Sequence, residues 1–247
     1  MTKQFFIFIL AVIPFLGVAQ NDADKAQTIL DKTIKAHGGD LYNSAHYSFL
    51  FRGNTYTFKN NNSQFHYTKK VVKGNTTVID ELKNGELTRT KNGVSVNLSD
   101  KALKDAKGAV NSVVYFATLP HKLNDKAVNK TYIEQTTIKG KTYDVLGVTF
   151  KQEGGGEDYD DAFHYWINTK THKVDYLAYN YRVNGGGVRF RSAYNVRVVD
   201  GIIFQDYVNY KAKNGTALKD LPALFEAGKL KELSRIETEH IINLKNQ

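Results

Sequence analysis

The chain predicts an α+β fold in which antiparallel strands predominate, and three observations carry that prediction. From Lys141 to Lys211 the sequence is a succession of segments rich in Val, Ile, Tyr, Phe and Thr with period-two patterning, each ended by a turn or a glycine loop. Between Tyr47 and Leu98 similar segments are separated by Asn-Gly and Gly-Asn turns, the chemistry that a two-residue hairpin with positive φ requires. Helical periodicity interrupts this pattern at only a few places, so the helices are accessories to a meander.

The first helix is expected over Asp22 to His37, where Ala26, Ile29, Leu30, Thr33, Ile34 and His37 form an apolar stripe and Gly38-Gly39 supplies a C-cap. His37 at that end is read as a histidine facing the helix dipole, with a ligand role as the alternative. Strands are then expected at Tyr47–Arg52, Thr55–Lys59, Gln64–Val72, Thr76–Leu82, Glu86–Lys91 and Val94–Leu98. Ser99 to Thr118 breaks the period: Leu103, Ala106, Val110, Val113, Val114 and Ala117 recur at helical spacing, and Pro120 stops the element. Its last turns, Val113 to Ala117, are apolar on every side, so that end should touch more than one surface.

After this inserted helix come Asn129–Ile138, Tyr143–Gln152, Asp161–Asn168, Lys173–Val183, Val188–Asp200 and Ile202–Lys211, then a short helix over Leu221–Lys229 and a final strand from Leu233 to Leu244. With the first half this makes about a dozen strands. In the segment from Val188 the pattern assigns Val188, Phe190, Tyr194, Val196 and Val198 to a buried face and Arg189, Arg191, Asn195 and Arg197 to a wet one. Phe163, Tyr165 and Ile167 oppose Ala162, His164 and Trp166, so aromatic surface lies on both sides and some strands should be covered twice. Counting reversals puts Gly154-Gly155-Gly156 and Gly185-Gly186-Gly187 at one rim of the sheet, with Pro120 to Asn124 brought beside them. These glycines read either as wide hairpin loops or as a rim that admits a ligand.

At the N-terminus, Lys3 precedes an apolar run from Phe5 to Leu16, and Gly17-Val18-Ala19 presents small residues before Gln20. This is the pattern of a cleaved secretory signal over residues 1–19, leaving one β-rich domain over 20–247 and a periplasmic or secreted location. The run is short for a bilayer span. The chain has no cysteine, hence no disulfide and no site for the acylated cysteine of a lipoprotein. Its formal charge of +9 favours anionic partners such as an acidic lipid surface, but the lysines are dispersed and no basic cluster interleaves with aromatics, so nucleic acid is not expected.

Catalytic signatures are absent from the sequence. No HExxH or paired-histidine spacing indicates zinc, no G-x-S-x-G elbow surrounds a serine, and neither triple glycine continues into a phosphate-binding loop. Glu153, Glu157, Asp158, Asp160 and Asp161, followed by His164, are the most suggestive polar cluster. Their oxygens suit calcium in type but not in spacing, so no metal and no cofactor is expected. An exported hydrolase using Asp160, Asp161 and His164 remains the enzymatic alternative, and a surface module presenting aromatic residues is a third.

The combination of Ala36-His37-Gly38-Gly39 after the first helix, Tyr115-Phe116-Ala117-Thr118-Leu119-Pro120 closing the inserted one, and the loop Gln152-Glu153-Gly154-Gly155-Gly156 resembles an uncharacterised exported family of Bacteroidetes. The layout is similar to the periplasmic lipoprotein-sorting superfamily typified by LolA and LppX. That resemblance implies a strongly curved, incomplete barrel whose concave face is closed by helices and receives acyl chains; no functional residue is carried over from it. The leading expectation is a non-enzymatic carrier of a hydrophobic small molecule or lipid, with a membrane lipoprotein or an anionic lipid surface as further partners. The ligand would lie against Val110, Val113, Val114 and Phe116 of the inserted helix and Phe163, Tyr165, Trp166 and Tyr179 of the strands. Gly154, Gly155, Gly156, Gly185, Gly186, Gly187, His121, Lys122 and Arg189 would form the rim.

Overall fold

The computed structural model describes residues 16–153, 161–182 and 185–246. Most of the expected signal segment, together with Gly154, Gly155, Gly156, Glu157, Asp158 and Asp160, lies outside the described residues. The class is the expected one, antiparallel sheet with helices, but the strands divide into two seven-stranded sheets that do not close. The first contains β1 (His46–Phe51), β2 (Asn54–Asn61), β3 (Gln64–Lys73), β4 (Thr76–Lys83), β5 (Glu86–Lys91) and β6 (Val94–Ser95), joined by the tight turns the sequence announced. Asn84-Gly85 and Asn92-Gly93 take positive φ throughout, as type I′ geometry demands. The second contains β7 (Val128–Ile138), β8 (Lys141–Phe150), β9 (Ala162–Asn168), β10 (Val174–Tyr181), β11 (Gly187–Val199) and β12 (Ile202–Ala212).

Two further strands correct the sequence reading. Leu233 to Leu244 is not one strand: β13 (Lys231–Ile236) pairs with β12, and β14 (Glu239–Asn243) pairs with β1 of the other sheet. The chain changes sheets at Glu237-Thr238, and His240 has positive φ, so alternation alone could not reveal the break. The inserted helix, α2 (Asp100–Ala117), is capped by Ser99, whose hydroxyl accepts from the Ala102 N–H at 3.4 Å. It sits between the sheets. Ala106, Val110 and Val114 pack with Tyr47, Phe49, Phe58, Tyr67 and Phe204, while Tyr115 and Phe116 reach Phe150, Phe163 and Tyr179 on the second sheet. An all-round apolar end has two surfaces to bury against, as expected.

The first helix, α1 (Leu16–Ala36), begins earlier than the apolar stripe suggested and lays Ala26, Ile29 and Leu30 on the inner face of the second sheet, beside Leu146, Tyr165 and Leu177. The outer face of that sheet is covered too. Trp166, Tyr176 and Phe190 pack there against Leu218, Leu221 and Phe225 of the short helix α3 (Leu221–Glu226) and the turn before it. Double coverage therefore explains the aromatic residues on both faces of β9. Among the described residues no helix is long and apolar enough to cross a membrane.

Register in β11 overturns the expected split between a buried and a wet face. A bulge at Asn195, with φ of 48°, shifts the pairing between Tyr194 and Arg197. Beyond it Val196 and Val198 are exposed, 47% and 65%, and Val199 turns into the first sheet's core. Before it Arg191, placed by the pattern on the wet face, is 6% exposed, because that face is the inner one closed by the helices.

Candidate functional site

His37 closes α1 and illustrates how the helices are pinned. It is fully buried, and desolvation together with the neighbouring His121 and Lys173 lowers its pKa to about 3. Its Nε2 accepts the Val174 N–H at 3.3 Å, and its carbonyl accepts the Ile203 N–H at 3.1 Å. In place of the expected interaction with the helix dipole, His37 is a neutral imidazole acting as a structural acceptor. Val174 and Ile203 lie at the opposite end of the second sheet from Gly185–Gly187. His121 lies beside His37, stacked on Tyr42 at 4.0 Å, with burial holding its pKa at about 4. Pro120 to Asn124 therefore does not reach the glycine rim. Lys122 is applied to the first sheet, 5.0 Å from the Phe65 ring centre and 3.5 Å from the Asp125 carboxylate.

A cavity of about 360 Å³ lies where α2, the two sheets and the sheet-crossing segment meet. Val113, Phe116 and Ala117 of α2 line one side, and Phe51 with Ile236 lines another. The remaining wall comes from the inner face of β10, β11 and β12: Tyr179, Arg191, Gln205, Tyr207 and Asn209, with Thr238 beyond. The exposed Arg52 and Ser112 mark its mouth. Of the ligand-binding residues expected from the sequence, the structure brings Val113, Phe116 and Tyr179 together here. Val110 and Val114 are 0% exposed inside the protein's own core, and Tyr165 is equally buried, bonded through its hydroxyl to that of Tyr115 at 2.8 Å. Phe163 stacks between Tyr165 and Tyr179 next to the cavity, whereas Trp166 faces the other side of the sheet.

The polar wall is what the sequence reading missed. The Arg191 guanidinium lies over Phe116, 3.8 Å from the ring centre, and its Nη2 donates to the Tyr179 hydroxyl at 2.9 Å, while Nε and Nη1 are buried without a partner. Asn209 is the cross-strand neighbour of Arg191. Gln205 Nε2 donates to the Val174 carbonyl at 2.8 Å and to the Tyr207 hydroxyl at 2.6 Å. Burial pushes the Tyr207 hydroxyl up to about 12 against the opposing pull of that bond and of Arg191, so it stays neutral. What reveals this wall is register in the folded sheet: the Asp200-Gly201 hairpin alone would set Arg191 opposite Tyr210, and the one-residue shift at the Asn195 bulge sets it opposite Asn209, on the same face as the expected Tyr179.

Gly185, Gly186 and Gly187 line a separate outer hollow of about 450 Å³ with residues of the Asn214–Leu218 loop. A Cβ at Gly187 would lie 2.6 Å from the Tyr181 hydroxyl oxygen and 2.7 Å from its ring, so glycine lets that side chain lie across the strand. Arg189 donates to the Tyr181 hydroxyl and, with Lys211, Lys213, Lys229 and Lys231, surrounds an exposed basic hollow of about 500 Å³. His164, of the enzymatic alternative, is on the outer face near Trp166, with burial lowering its pKa to about 4. Asp161 is buried. Among the described residues no group of His, Asp and Glu could hold a metal ion.

No curated protein matches the chain in sequence. In fold it is similar to a domain described as an outer membrane lipoprotein-sorting protein domain from Vibrio parahaemolyticus, at 8% identity and a TM-score of 0.50, with 91% of this chain and 94% of that one covered. A LolA superfamily protein from Nitrosomonas europaea gives 11% identity and a TM-score of 0.48 over 87% of this chain and 92% of that one. A DUF1329 family protein from Desulfovibrio piger gives 10% and 0.45 over 83% and 99%. At such identities the first likeness establishes the open-barrel fold alone. In sequence, a model of a family of unknown function, DUF6503, matches residues 3–238, and the chain belongs to that family.

Proposed function

We propose that this protein is an exported, non-enzymatic carrier that shelters a hydrophobic ligand, a lipid or a single acyl chain, between α2 and the inner face of the second sheet. The observation that carries this reading is the cavity of about 360 Å³ left where Val113, Phe116 and Ala117 of α2 meet β10 to β12. Such a volume is near the lower end of the roughly 300–1,000 Å³ typical of small-molecule sites, so it suits one chain. Affinity would come from burying acyl surface at roughly 25 cal/mol per Å² before ordering costs. The apolar run Phe5 to Leu16 supports export, and the basic hollow around Arg189 and Lys211 supports docking at an anionic lipid surface.

Extraction of the purified protein with organic solvent, followed by mass spectrometry, tests this directly. An acyl compound in stoichiometric amount is the expected result. An empty extract, together with no displacement of a bound fluorescent fatty acid analogue, overturns the proposal.

A further inference from the structure

If the cavity is the ligand site, its wall is unexpectedly polar. Arg191 and Gln205 are each 6% exposed. Arg191 spends one nitrogen on Tyr179, and neither Nε nor Nη1 meets any acceptor. Among the described residues no carboxylate lies within ion-pair distance of it. Gln205 has the opposite imbalance. Its Nε2 is committed to Val174 and Tyr207, which fixes the amide's orientation and leaves Oε1 buried with no donor. Asn209 Oδ1, across the strand pair from Arg191, is likewise without a donor. Buried charges and polar groups are ordinarily paired because leaving them bare is costly. The fold thus retains a cation with two nitrogens lacking acceptors, and amide oxygens lacking donors, on one wall of one cavity.

Resting on the carrier reading above, we infer that the occupant is a single-chain amphiphile with a mixed head group: an oxyanion for Arg191 and, next to it, a hydroxyl or amide N–H for Gln205. Hydroxy fatty acids and N-acyl amino acids are the simplest members of that class. The Phe116 ring covers the guanidinium and would exclude water from the ion pair, strengthening it.

Calorimetric titration of the full chain with five twelve-carbon probes tests the inference: laurate, dodecyl phosphate, β-hydroxylaurate, N-lauroylglycine and dodecanol. At least one of the two simple oxyanions should bind about tenfold or more tighter than dodecanol, as expected for a charge-assisted hydrogen bond. Whichever of the two leads identifies the acid as carboxylate or phosphate. β-Hydroxylaurate and N-lauroylglycine should bind several-fold tighter than laurate. Arg191→Met should erase the margin of acid over alcohol, read as the ratio of the two affinities within that variant. Gln205→Leu should erase only the gain from the hydroxyl or amide. The wild-type comparison stands even if a variant fails to fold. Equal affinity for dodecanol and both oxyanions would overturn this inference while leaving the carrier reading intact; no binding of any probe would overturn both.

Discussion

Arg191 and Phe116 stand face to face, guanidinium over ring at 3.8 Å, so the last turn of α2 meets β11 through a cation–π contact at the edge of the cavity. A desolvated pair of this kind is worth about 2 kcal/mol, and the ring also packs on Phe163 and Tyr179. Phe116→Ala is expected to lower stability by about 2–4 kcal/mol in urea denaturation. It should also weaken ligand binding by admitting water to Arg191, whereas Phe116→Leu should restore most of the stability and little of the binding. Parallel losses in both measurements for Leu and Ala would show that the ring has no special role.

Asp206 is the anchor of the sheet crossing. Its carboxylate is 2% exposed and accepts from Arg197 Nη2 at 2.8 Å, Asn195 Nδ2 at 2.7 Å and the Thr238 N–H at 2.9 Å. Removing one member of a buried, hydrogen-bonded pair leaves the other charge uncompensated, at about 3–5 kcal/mol. Asp206→Ala should therefore lose that much stability and increase proteolysis near Thr238. The double variant Asp206→Ala with Arg197→Met should recover part of it.

Stability should fall as pH drops below the ordinary histidine range. His37 and His121 have folded pKa values near 3 and 4, lowered from 6.5, so the unfolded chain binds protons that the native state refuses. The contribution is complete above about pH 6.5 and declines down to about pH 4 for His121 and about pH 3 for His37, by up to about 1.4 kcal/mol per pH unit for each histidine. Urea midpoints at pH 7 and pH 5 check this. His121→Phe, which keeps the stack on Tyr42, should reduce the difference; an unchanged pH slope in that variant would refute the assignment.

Gly38 has φ of 124°, and a Cβ there would lie 3.0 Å from the Gly201 carbonyl oxygen and 3.1 Å from the Ile202 Cα. Both obstacles are backbone, so neither can yield cheaply. Gly38→Ala should destabilise by roughly 1–3 kcal/mol, read as a lowered thermal midpoint. Gly39→Ala, with open space around it, should cost less.

The local grammar of the fold was legible because it is written in neighbouring residues. Asn84-Gly85 and Asn92-Gly93 specify their hairpins, and Val113 to Ala117 announces a helix end with two partners. What escaped is set at long range. The polar–apolar alternation of β11 says that Arg191 and Phe190 point to opposite sides, but not that both sides are covered; that depends on α1, α2 and α3 packing from distant parts of the chain. The Asn195 bulge and the break at Thr238 leave no mark in composition, since Asn195 differs little from any exposed strand asparagine. The candidate site suffered most from this. Val113, Phe116 and Tyr179 were found from apolar pattern, whereas Gln205, Tyr207 and Asn209 become a site only once β12 is laid beside β11.

The exchange of sheets at Glu237-Thr238 has a consequence for how the molecule is made. Because β14 completes the first sheet by pairing with β1, a chain emerging from its N-terminal end holds β1 with one bare edge until residues 239–243 arrive. Closing so long a loop is slow, and an unpaired edge invites pairing with other chains in the interval. A holdase, or delivery of the whole polypeptide before folding begins, would protect that edge; truncation before Glu239 should yield aggregates instead of a shortened but soluble protein.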